Sequence, residues 1–159
     1  MYNVLLETND KRNSDLSDFI AIIETLPSIL QLLQDNSTIT ATTLFVPTNN
    51  AIALSNLTWM TQQQQGQNNI IITTAMVQQL VQNHIVSGNF VRSCWWTIPT
   101  GTIISESELR LESEAGQSLD LLINDEGVII NGNVRIVEED IFSEYGIIQI
   151  IDTVFSVAQ

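Results

Sequence analysis

Basic residues are scarce in this chain: Lys and Arg total 5 against 18 Asp and Glu, for a net charge of −13. Such a surface repels phosphate backbones and anionic membranes, so nucleic-acid binding is not expected. It attracts divalent cations, cationic polymers or basic protein patches. Cysteine occurs once, as Cys94, which excludes an intrachain disulfide and a thiolate metal cluster. That thiol is either simply buried or free to pair between chains. Histidine also occurs once, as His84, so a nucleophile–base pair would have to recruit it to a serine or to Cys94. No local motif supports such a pair, and neither a catalytic residue nor a cofactor is expected. No apolar run reaches the roughly 18 residues that span a bilayer, so direct membrane insertion is not expected. The opening residues lack the basic-then-apolar order of a secretory leader. The chain is therefore read either as a protein that stays where it is made or as part of a longer secreted one.

What is present is globular in composition, with 44% hydrophobic and 14% charged residues. The length fits a single domain over 1–159, at roughly 150 residues per domain. Ser14 is placed to cap a helix whose apolar residues Leu16, Phe19, Ile20 and Ile23 follow the i, i+3, i+4, i+7 spacing. Pro27 suits the first turn of a second helix with Ile29, Leu30 and Leu33 inward. Thr42–Val46 reads as a strand buried on both faces, stopped by Pro47, after which Thr48 can cap a new helix through the N–H of Asn50 or Ala51. A further helix, capped by Thr73 or Thr74, carries Val77, Leu80, Val81 and His84 on one face and ends at Ser87-Gly88-Asn89.

From Thr97 the period becomes two. Ile103–Glu114 alternates, with Leu109 and Leu111 on one face and Glu106, Glu108, Arg110, Glu112 and Glu114 on the other. Leu119–Ile123, Val128–Ile130 and Val134–Val137 follow, the last two joined by the tight-turn pair Asn131-Gly132. Glu139-Asp140-Ile141 is predicted to open a short turn or helix, and Ile147–Phe155 to form a last strand. Helices in the first half and strands in the second argue for an α+β fold.

Three segments resemble the signature boxes of fasciclin-like domains. The first is Thr43-Leu44-Phe45-Val46-Pro47-Thr48-Asn49-Asn50-Ala51-Ile52. The central one is Gln82-Asn83-His84-Ile85-Val86-Ser87-Gly88. The last is Val128–Val137 with Glu139-Asp140-Ile141, closed by Gly146–Val154. The resemblance implies a wedge-shaped β-sandwich with N-terminal and central helices packed on it. It also implies a non-enzymatic, extracellular adhesion and matrix-interaction module, often in tandem with sister domains. Two departures stand out: the family's Tyr-His pair is here Asn83-His84, and the His usual in the last strand is Gln149.

The binding residues this singles out are Glu139, Asp140, Ile141 and His84. Asp140 reads either as an exposed adhesion determinant with Ile141 as its anchor, or as the cap of a turn with Ile141 in the core. His84 reads as a core histidine whose ring nitrogens bond backbone groups. Asn36 and Asn56 open glycosylation triplets. The acidic strand face is a solvated face, an edge guard or a loose cation-attracting surface, since neighbours about 7 Å apart do not cage one ion. Trp59, Trp95 and Trp96 either stack on sugars or anchor the core. The expected partners are cell-surface or matrix proteins, with self-association as a further reading. The other functional reading is an acidic matrix or cell-wall component that binds divalent cations or glycans.

Overall fold

The structure, a computed structural model, describes residues 1–34, 41–55, 74–91, 107–144 and 146–155, and the backbone alone at 102–105. Asn36, Asn56, Trp59, Thr73, Cys94, Trp95, Trp96 and Glu106 lie outside the described residues.

The chain begins with a helix that the sequence reading did not assign, α1 (Tyr2–Lys11), which buries Leu5 and Thr8. The Thr8 hydroxyl, inside a helix, donates to the Val4 carbonyl at 2.8 Å. The second helix, α2 (Ser17–Glu24), buries Phe19, Ile20 and Ile23 as their spacing predicts. Its cap differs from expectation. Ser14 adopts φ 64° in the turn before it, and the Leu16 at the N-cap offers no side-chain bond. The helix's free donors are met from elsewhere: Asn9 Oδ1 accepts the Leu16 N–H, and Asn49 Oδ1 accepts the Asp18 N–H, both at 2.9 Å. Helix α3 (Pro27–Gln34) starts on Pro27 and buries Ile29 and Leu33.

The proline corner forms as read. Strand β1 (Thr42–Pro47) is buried from Thr43 onward and ends where Pro47 has no N–H to give. Thr48 then caps α4 (Asn49–Leu54), its hydroxyl accepting the Ala51 N–H at 3.1 Å. Thr48→Ala is expected to cost about 1 kcal/mol. A urea midpoint equal to that of the unaltered protein would show the cap to be idle. Next, α5 (Thr74–Gln82) buries Leu80 and Val81. It stops before Ser87: Ile85–Ser87 forms the short strand β2 instead, and β-branched Ile85 and Val86 pair with β1.

The run read as one strand from Ile103 to Glu114 is two, β3 (Thr102–Ser105) and β4 (Glu108–Glu112), paired antiparallel. Strands β5 (Ser118–Asn124) and β6 (Gly127–Ile130) follow. Asn131 and Gly132, both at positive φ, turn the chain into β7 (Val134–Ser143), and β8 (Gly146–Ile151) closes the set. The order across the sheet is β2-β1-β8-β7-β6-β5-β4-β3. Among the described residues, only β1 and β8 run parallel, with Val46 opposite Ile150 and Pro47 opposite Ile151. The front segment and the end of the chain are thus direct neighbours.

β1 and β8 are covered on both faces. Leu44, Val46, Ile148 and Ile150 pack under the helices with Leu16, Phe19, Ile23 and Val81. Phe45 and Ile151 face the other way, into a second cluster with Leu109, Leu111, Leu119, Leu121 and Val134. Double burial explains why β8 is apolar at every position except Gly146 and Gln149.

Candidate functional site

The predicted short turn or helix at Glu139-Asp140-Ile141 does not exist. These residues continue β7, and the irregularity lies inside the strand. Glu138 is opposite Ile150 and Ile141 opposite Ile148, so Glu139 and Asp140 together face the single residue Gln149. This is a β-bulge, with Asp140 at φ 58° as the left-handed residue, a conformation Asp tolerates better than most. A second bulge precedes it, between Ile136 and Glu138, which adds Val137. Bulges bend a strand and increase its twist. Here they let one strand pair with β6 near Val134 and with β8 from Ile136 onward.

Gln149 holds the bulge. It is fully buried in a strand whose other side chains are apolar, so its amide needs partners. Its Oε1 accepts the Asp140 N–H at 2.9 Å, and its Nε2 donates to Asp140 Oδ1 at 2.9 Å and to the Phe90 carbonyl at 3.0 Å. The backbone N–H can only donate and the backbone carbonyl can only accept, so these two partners set the amide's orientation. Thr43 adds a second tie to the same segment, accepting the Phe90 N–H and donating to the Gly88 carbonyl.

The turn-cap reading of Asp140 therefore changes. It caps no turn, and its carboxylate takes part in a clamp across two strands. Ile141 packs, partly buried, against the cluster beneath the helices, while Glu139 is exposed. Glu138 pairs with Arg12 at the end of α1, which also binds Asp15. One residue beyond Ile141, Phe142 stands 64% exposed. It borders a cleft of about 260 Å³ shared with Ala41, Asn89, Val91, Ser143 and Ile147. Val137, the extra residue of the first bulge, is 51% exposed.

His84 sits apart, in the interior and fully buried. Its Nδ1 lies 2.8 Å from the Leu80 carbonyl, and its Nε2 lies 3.2 Å from the Phe155 amide nitrogen. A carbonyl only accepts and an amide N–H only donates, so Nδ1 carries the proton and Nε2 is bare. The ring stacks on Phe155 at 4.8 Å and tilts against Phe19 at 5.4 Å. Burial pushes its pKa down to about 4, with the bond to Leu80 pulling the other way. The core reading of His84 holds, and its side chain does not join Asp140 at the surface.

The acidic face on β4 is interrupted. Glu108 and Glu112 are exposed, but Arg110 between them forks onto Asp120 of β5 at 2.6 and 3.1 Å. Glu114 lies past the strand and accepts the Ser87 hydroxyl. Among the described residues, no group of three or more His, Cys, Asp or Glu is arranged to hold a metal ion.

Sequence reasoning missed Gln149 as a working residue, as well as Phe142 and the capping role of Asn49. For Gln149 a signal was present: one amide within an otherwise apolar strand must find bonds. For Phe142 there was none, since alternation through a double bulge does not tell which face a residue takes.

A protein-family model described as the fasciclin domain matches residues 14–157. Among solved structures, the chain is similar to a FAS1 domain pair from the insect cell adhesion molecule fasciclin I, at 16% identity and a TM-score of 0.60. That likeness covers 90% of this chain and 47% of the other, so this chain spans about half its length. No curated protein matches the chain. With the helix-then-strand order, the Pro47 corner joined to β8 and the family match over nearly its whole length, the chain belongs to the fasciclin-domain family.

Proposed function

We propose that this protein is a non-enzymatic adhesion module, working outside cells, that binds a protein partner through the outward side of β7. The observation that carries the reading is the exposure of Val137, Glu139 and Phe142 along a strand whose backbone is set by two bulges and the Gln149 clamp. A pre-set surface loses little freedom on binding, and an exposed aromatic residue beside a cleft is a common anchor. Family membership supports an adhesion role, and the likeness to half of a domain pair supports a place beside a sister domain. Support for a non-enzymatic role comes from His84, whose two ring nitrogens are committed to backbone groups. The net charge of −13 favours a partner surface rich in Lys and Arg.

The test is attachment of cells to surfaces coated with the protein. Phe142→Ala and Glu139→Ala are each expected to lower attachment about tenfold, with thermal midpoints within about 2 °C of the parent. Attachment unchanged in both variants would remove β7 from the reading. If the parent supports no attachment and instead shows binding heat with Ca²⁺ or oligosaccharides, the protein is an acidic matrix component and not an adhesion module.

A further inference from the structure

We propose that His84 and Phe155 form an acid-opened latch: the neutral imidazole holds the Phe155 amide and ring, and protonation of His84 releases Thr153–Phe155 from the core while β8 stays paired. The argument starts from hydrogen-bond direction. Nε2 of His84 accepts from the Phe155 N–H, and a protonated Nε2 would point one N–H at another. Flipping the ring does not help: the imidazolium needs two acceptors, and among the described residues its two ring contacts are one acceptor, the Leu80 carbonyl, and one donor, the Phe155 N–H. Protonation therefore disfavours the closed latch.

The release is confined by what holds the neighbouring residues. Asp152 is tied to β7 independently: its N–H donates to the Arg135 carbonyl and its Oδ1 accepts the Arg135 N–H. β8 pairs with β1 on one side and β7 on the other, so both its edges stay covered. Past Asp152, Phe155 is the buried residue, seated on His84 and edge-on to Phe45 at 5.5 Å. Its departure gives water a path to the ring.

No charged side chain competes for the proton at the ring among the described residues. Helix α2 brings Asp18 and Glu24, both exposed. Helix α5 and strands β1, β2 and β8 carry no ionisable side chain. The segment after β8 brings Asp152, engaged as above and with the Thr153 hydroxyl.

The sign follows from linkage. Closed, His84 titrates near 4; open, it returns toward the ordinary 6.5. The open form thus binds more protons between those values, and its population rises as pH falls through 6.5 and levels off near 4. The limit is about 300-fold, the antilogarithm of the difference between 6.5 and 4.

Amide hydrogen exchange, read by NMR from pH 7 to 4 and corrected for intrinsic rates, tests the latch. Protection at Phe155 is expected to fall by up to about 300-fold as pH drops from 6.5 to 4, with Ile148 and Ile150 still protected. Equal loss at all three would mean global acid unfolding, and constant protection at Phe155 would mean no linkage; either overturns the proposal. His84→Gln can accept the same N–H without titrating, and it is expected to flatten the profile at Phe155. A profile in His84→Gln as steep as the parent's also overturns it. Should that variant fail to fold, the parent's exchange profile at Phe155 against Ile148 and Ile150 decides the question alone.

Discussion

Replacing Gln149 by leucine is expected to lower the unfolding free energy by about 3 kcal/mol, although leucine is similar in size and the strand around it is apolar. The reason is what the change leaves behind. Gln149 satisfies the Asp140 N–H and the Phe90 carbonyl, and it binds the Asp140 carboxylate. Leucine deletes one side of each bond, and an orphaned buried backbone group costs about 1–3 kcal/mol. Asp140 would also lose the contact that stabilises its positive φ. At 159 residues the loss corresponds to about 6–12 °C in thermal midpoint. Gln149→Glu separates hydrogen bonding from volume. At neutral pH it sets a second carboxylate against Asp140 and the Phe90 carbonyl, so it should destabilise at least as much, with partial recovery in acid as the new carboxyl gains a proton. A Gln149→Leu protein within about 1 kcal/mol of the parent would mean that the clamp is not needed.

Phe45→Ala is expected to cost about 3–5 kcal/mol, the largest effect of any single change considered. Phe45 is fully buried on β1 and faces the cluster shared with β4, β5 and β6. It also supplies the edge-on contact for Phe155. Alanine leaves a cavity that neither β8, bound on both edges, nor the paired strands opposite can easily collapse into. Urea unfolding of Phe45→Ala beside Phe142→Ala makes the comparison: same chemistry, one ring buried and one 64% exposed. Similar losses in the two would contradict the placement of β1 between the two clusters.

The two changes sit close together, since Phe45 is opposite Gln149 in the β1–β8 register, yet they differ in how far sequence foretold them. Phe45 stands in a continuous apolar run ending at Pro47, which already marks a strand buried on both faces. Gln149 could be seen as a buried amide in want of partners, but not which partners. Its bonds reach Asp140 across one strand pair and Phe90 in a connecting segment. The misreading of Glu139-Asp140-Ile141 as a short turn or helix has the same origin. The irregularity is an extra residue, Asp140 at positive φ, and it is the pairing with β8 that absorbs it within the strand.

The helix-then-strand order, the corner at Pro47-Thr48 and the turn at Asn131-Gly132 were determined by the chain's own letters. Periodicity, missing N–H groups and turn preferences act over a few neighbouring residues, and no distant contact is needed to express them. Which surface faces solvent on β7, where Asn49 finds a helix to cap and which tautomer His84 holds were decided only when remote segments met. The physical reason is that a buried polar group must be satisfied, while its partner is chosen by proximity in space, which the order of residues along the chain does not state.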